Sequence, residues 1–247
     1  MLDAVVVGAG PNGLVAANIL ADRGWEVVVL EAEAEPGGAV RSTELVEPGF
    51  VHDVGSAFYP LGRASPVLAA LDLESFGLRW CTAPLALAHP ATDGSCAVLA
   101  TDLDETAASL DTGAPGDGDA WRRLYRRWEE LGDHLLASFM SPFPPVRAAL
   151  RLATSMPPVD LVRLARFLLL PVRRLGEEEL DGEVGRRLLA GAALHADLSP
   201  ESPLSGFFGW LMCSLGQSIG FPVPEGGAGS LTGALVRRLE RRGGSVR

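Results

Sequence analysis

The sequence predicts an α/β fold, with a Rossmann-like βαβ unit at its start followed by a longer, mostly helical α+β insertion. Three observations predict it. A branched apolar run, Ala4–Val7, meets a glycine-rich turn, a helical pattern and a second apolar run that ends in an acid. From 57 to 221 the apolar residues recur at helical spacing between prolines, and from 222 to 231 a second glycine-rich segment precedes one more amphipathic stretch. The chain accordingly divides into a Rossmann part at 1–56, an inserted, mostly helical domain at 57–221 and a return segment at 222–247.

Taken in order, Ala4–Val7 reads as a strand buried on both faces of a parallel sheet. Leu14, Val15, Ala17, Ile19 and Leu20 then mark a helix over 11–23, which Gly24 ends, and residues 25–30 form the second strand. The turn between strand and helix reads Gly8-Ala9-Gly10-Pro11-Asn12-Gly13. In this spacing the first glycine permits the tight turn, the second lets a pyrophosphate approach bare backbone, and the third lets helix and strand pack closely. Free N–H groups at the helix start favour negative charge. Glu31 ends the second strand, where a carboxylate can accept hydrogen bonds from a ribose diol and disfavours a 2′-phosphate. Together these features predict a site for an adenine dinucleotide.

A second glycine pair extends the motif. Residues 31–42, EAEAEPGGAVRS, resemble the E-x(5)-G-G-x-x-R-[ST] extension of the FAD-dependent amine oxidase and phytoene desaturase superfamily. Phe50-Val51-His52-Asp53-Val54-Gly55 resembles that superfamily's F-x-x-D-x-G stretch. Residues 222–235, PVPEGGAGSLTGAL, resemble the P-x-G-G-x-x-x-L-x-x-A-L segment of its phytoene desaturase-like branch, to which the wording GAGPNGLVAA also points. The resemblance implies FAD as cofactor. It places Gly8, Gly10 and Gly13 at the pyrophosphate, with Pro11 and Asn12 at the helix start and Asn12 capping the helix or touching phosphate. Glu31, followed by Ala32, would hold the adenosine ribose. Gly37, Gly38, Arg41 and Ser42 would line the flavin-side part of the cofactor, and Gly55 would bring the chain back beside it. No residue qualifies as a catalytic acid or base.

The middle of the chain predicts strands at 78–81 and 96–100, a polar loop at 111–119, and helices over 120–139, 146–156, 159–170, 184–196 and 205–215. By resemblance this insertion covers the flavin and holds a hydrophobic small-molecule substrate. The arginine-flanked stretch LVRLARFLLLPVRRL admits two readings, a core helix with snorkelling arginines or a peripheral contact with a membrane. Residues 207–215 read as a core helix or the lining of an apolar tunnel. His195, after an apolar helix, reads as structural.

Composition excludes other classes. The 247 residues carry a formal charge of −10, so a nucleic-acid partner is not expected; every cation among Lys and Arg is an arginine, a bias without functional content. Cys81, Cys96 and Cys213 lie far apart and form neither a disulfide framework nor a metal motif. The opening apolar run reaches Gly8 too soon for a signal-peptide core, which predicts a cytoplasmic protein. The last residues, 245–247, read as the first of a further strand, so the flavin-binding sheet is expected to be incomplete and the chain an N-terminal portion of a longer protein. An FAD-dependent oxidoreductase taking hydride from an apolar substrate is the reading that results. An NAD-linked dehydrogenase and a noncatalytic dinucleotide-binding fragment stand as alternatives. The substrate, the electron acceptor and the oligomeric state have no signature in the sequence.

Overall fold

A computed structural model describes all 247 residues, the side chains of residues 148 and 149 excepted. Along the chain run β1 (Ala4–Val7), α1 (Pro11–Asp22), β2 (Val27–Leu30), β3 (Ser42–Glu44), β4 (Val51–Asp53), α2 (Pro60–Ala64), α3 (Pro66–Ala70) and β5 (Trp80–Cys81). There follow β6 (Leu85–Pro90), β7 (Cys96–Ala100), α4 (Leu103–Asp111), α5 (Asp117–Phe139), α6 (Val146–Thr154), α7 (Pro158–Leu169), α8 (Val172–Glu179), α9 (Glu183–His195) and α10 (Ser205–Ile219). The last elements are β8 (Val223–Pro224), α11 (Gly229–Arg241) and β9 (Ser245–Val246). They form two compact units, one of residues 1–82 with 222–247 and one of residues 83–221.

In the first unit a parallel sheet runs in the order β1-β2-β9, with Ala4 opposite Val27 and Val28 opposite Ser245. Helix α1 turns Leu14, Ala17, Asn18 and Ala21 inward, and α11 turns in Leu231, Ala234, Leu235, Arg238 and Leu239, both stripes having the spacing of one helix face. The two helices pack together against Val6, Val27 and Val29. Strand β1 therefore differs from expectation. It is an edge strand, and Val5 and Val7, which alternate away from the helices, are 52% and 84% exposed. A polar network fastens the helix pair. Buried Asn18 donates to the carbonyls of Leu14 and Leu235, while Arg238 donates to the Leu71 carbonyl, Asn18 Oδ1 and Asp22.

Residues 57–82 belong to this unit. Leu71, Leu73 and Leu78 join its core, the Tyr59 N–H donates to the Pro222 carbonyl, and β5 pairs antiparallel with β8. The predicted strands near 80 and 96–100 thus belong to different sheets, because each finds its partner in a different unit; β7 pairs with β6 in an antiparallel hairpin.

The second unit is built around α10, buried from Gly209 to Gln217. Small residues let its neighbours close in: a Cβ on Gly209 would stand 2.5 Å from the Leu189 carbonyl oxygen of α9. Trp210 meets Trp128 and Phe167 edge to face, at 5.6 and 5.0 Å between ring centroids. Its indole N–H donates to the Leu124 carbonyl, and Trp121 donates to Gln217, which donates on to the Ala100 carbonyl. On α7, Leu164 and Phe167 are buried while Val159, Val162 and Leu169 are exposed, and Arg163 and Arg166 pair with Asp160 and Glu178. Cys213 is wholly buried, and burial pushes its thiol far above the ordinary cysteine range. No helix among the described residues is long and apolar enough to cross a membrane.

Candidate dinucleotide site

The turn from β1 into α1 is open where a phosphate group would need it to be. Gly8 has φ 93°, and nothing lies within 4 Å of a Cβ built on Gly8 or Gly10. Gly13 is the opposite case. Its Cβ would stand 2.1 Å from the Gly8 carbonyl oxygen, so a side chain there would drive the helix off the turn. Gly10 occupies the N-cap position of α1 and Pro11 follows at its first helical position, where the missing N–H costs nothing. No side chain caps this helix. Asn12 is exposed at its mouth and does not fill the capping half of its expected role. The amides of Asn12 and Gly13 belong to the first turn, whose N–H groups have no carbonyl partner within a helix.

Glu31 faces the turn. Its Oε2 accepts the Ala9 N–H at 2.7 Å, and its Oε1 accepts the N–H groups of Ala32 and Glu33 at 2.9 and 3.1 Å. These bonds, led by those from Glu33 and Ala9 and aided by the charge of Arg41, hold the carboxyl below the usual glutamate range. The acid is therefore ionised and oriented in advance, with one lone pair of Oε2 left for a hydroxyl donor. The Ala9 amide is committed to Glu31, which leaves the amides of the helix start for phosphate.

The second glycine pair lies against this turn. The Gly37 N–H donates to the Ala9 carbonyl at 2.9 Å, and a Cβ on Gly38 would stand 3.5 Å from the Gly10 Cα. The remaining expected residues have other surroundings. Arg41 is half-buried, its Nε unpartnered among the described residues, and it lines a hollow of about 310 Å³ with Glu35, Pro36, Thr232, Gly233 and Arg237. Ser42 spends its hydroxyl within the protein, donating to Asp53 and accepting the Gly229 N–H. Gly55 packs on the loop of the glycine pair, where a Cβ would stand 2.8 Å from the Ala39 carbonyl oxygen. So the structure gathers Gly8, Gly10, Pro11, Gly13, Glu31, Gly37 and Gly38 at one turn, while Ser42 and Gly55 support the loop beside it.

Sequence reasoning missed Thr232, whose hydroxyl donates to the Val40 carbonyl at 2.6 Å. Its only signal is its place one turn into the helix that follows the late glycine pair.

Residues 6–72 match the family of NAD(P)-binding Rossmann-like domains. The chain is 30% identical over 134 residues to one of the subunits of limonene dehydrogenase from Castellaniella defragrans, covering 54% of this chain and 24% of that protein. It is 35% identical over 147 residues to hydroxyneurosporene desaturase of Cereibacter sphaeroides, covering 59% of this chain and 28% of the relative. The solved structure of cyclohexylamine oxidase from Brevibacterium oxydans superposes with a TM-score of 0.58 at 21% identity, over 99% of this chain and 51% of the other. The chain spans less than half the length of these curated relatives. Residues 6–72 thus match an NAD(P)-binding Rossmann-like domain, in a chain similar in sequence to a dehydrogenase subunit and a desaturase and folded like an amine oxidase.

Proposed function

We propose that the dinucleotide is FAD and that the chain is part of an oxidoreductase that removes hydride from an apolar substrate. The observation that carries this reading is the meeting of two glycine features at one turn: the open Gly8–Gly13 cradle beside a preset Glu31, and the Gly37–Gly38 pair laid against Gly10. The first would take the adenosine half of the cofactor. The second is the extension that resembles flavoproteins and that a simple nicotinamide site does not require. The matches to a dehydrogenase and a desaturase support the reaction class.

Bound FAD would supply the hydride acceptor. The chain's own residues would do the holding. The amides at the start of α1 would receive the pyrophosphate, aided by the helix dipole. Glu31 would accept a ribose hydroxyl and, being already ionised and fixed, would need no rearrangement to do so. Gly37 and Gly38 would let the backbone lie along the cofactor with no side chain between them.

Purification tests the reading. The protein is expected to carry, or to take up, a yellow chromophore that acid releases as FAD, and the colour is expected to bleach anaerobically with an apolar donor. Nicotinamide-dependent turnover by colourless protein would replace FAD with NAD, and colourless protein that binds neither would overturn the proposal.

A further inference from the structure

We infer that Thr232, Ser42 and Asp53 are positioning residues for the dinucleotide, acting through the loop that carries Gly37 and Gly38; this role rests on the FAD reading above. Helix α11 begins at Gly229, and its N-cap residue, Ala228, supplies no capping side chain. Two amides of its first turn are satisfied from far away in the sequence: the Ala228 N–H donates to Asp53 Oδ1 and the Gly229 N–H to Ser42 Oγ, both at 2.8 Å. Ser42 and Asp53 sit directly opposite each other on β3 and β4, and the serine hydroxyl donates to the same carboxylate oxygen at 2.6 Å. Gly227 makes room for both, since a Cβ there would stand 2.6 Å from Ser42 Oγ and 2.8 Å from Asp53 Oδ1. One turn later, buried Thr232 donates to the Val40 carbonyl and lies 3.0 Å from where a Gly37 Cβ would be.

The loop is thereby held at both ends. At Val40 and Ser42 it is tied to α11, and at Gly37 it is tied to the Ala9 carbonyl inside the phosphate turn. Its conformation leaves little slack: Gly37 and Gly38 both have positive φ, 127° and 55°, and the Val40 N–H closes a turn onto the Gly37 carbonyl at 2.8 Å. Releasing the Val40 end would free the glycine pair to leave Gly10, although the Thr232 and Ser42 hydroxyls are themselves engaged within the protein.

Two measurements on the whole chain test this. Amide exchange of the cofactor-free protein reads the loop, and titration with FAD, followed by flavin fluorescence, reads the site. Thr232→Val and Ser42→Ala are expected to speed exchange at Gly37 while leaving Leu239, deep in α11, protected. Each is expected to weaken FAD binding about fivefold to tenfold, the worth of one hydrogen bond. Thr232→Ser, which keeps the hydroxyl, is expected to restore both readouts. Unchanged exchange at Gly37, or faster exchange without loss of FAD affinity, overturns the inference, as does exchange that rises equally at Leu239. Wild-type protein that binds no FAD overturns the proposed function itself, and with it the role of these residues; the two failures are told apart by the wild-type titration alone.

Discussion

In the nucleotide unit polar side chains tie together distant parts of the chain: buried Arg238 joins Asn18, Asp22 and the Leu71 carbonyl, buried Thr232 holds the Val40 carbonyl, and half-buried Asp53 caps a helix 175 residues later. In the helical unit the largest fully buried side chains are Trp121 and Trp210, whose indole N–H groups donate to Gln217 and to the Leu124 carbonyl. The first arrangement ties backbone segments to one another. The second fills volume. Substitutions should therefore damage the first unit through ligand geometry and the second through stability.

The largest expected effect lies in the helical unit. Trp210→Ala empties a site that is fully buried and contacted by two aromatic rings, and should destabilise the unit by about 3–5 kcal/mol in denaturant unfolding. If Trp210→Ala unfolds no more easily than wild type, the contrast between the units fails. Gly13→Ala should do the reverse, lowering FAD affinity by about a hundredfold in equilibrium titration because helix and turn must separate to admit the methyl group. Equal losses of stability and affinity in this variant would mean that the turn is merely a packing element.

Glu31→Gln should cost about tenfold in FAD affinity, since the amide keeps the shape but loses the charge and part of the acceptor capacity. Its pH dependence sharpens the point. The folded carboxyl titrates below its unfolded value, so its contribution is complete above the ordinary glutamate range and is lost as pH falls through the lower, folded value. Wild-type affinity should fall in that acidic window and that of the glutamine variant should stay flat there. The smallest effect should come from His89, half-buried on β6 with Nε2 unpartnered among the described residues, where burial lowers the imidazole below the usual histidine value. The unfolded chain takes up that proton first, so stability is full above about pH 6.5 and declines below it. Thermal melts of His89→Gln should lack this slope.

The same contrast explains what could be read from residues alone. Gly8, Gly10, Gly13 and Glu31 were legible because a close backbone approach tolerates few residue types, and a carboxylate at the end of β2 has few other reasons to be there. The helices over 120–139 and 205–215 were legible from spacing and differ from α5 and α10 only at their ends. Helix α5 starts three residues earlier, at Asp117, whose buried carboxylate accepts the N–H groups of Asp181 and Gly182. A bond to residues sixty positions away leaves no local trace in a glycine-rich polar stretch. The same reason hid Thr232 and the true partners of Ser42. The exposed face of β1 was misread because four branched residues in a row look alike whether one face of the strand is covered or two.

The sealed thiol of Cys213 gives the helical unit a chemical clock. Cys81 is exposed and Cys96 partly so, whereas Cys213 lies under α9 with its sulfur on the Leu188 carbonyl. An alkylating reagent would mark the first two in the native protein and reach the third only when α10 leaves its packing. The rate at which the last label appears would then time the opening of that core, with no added probe.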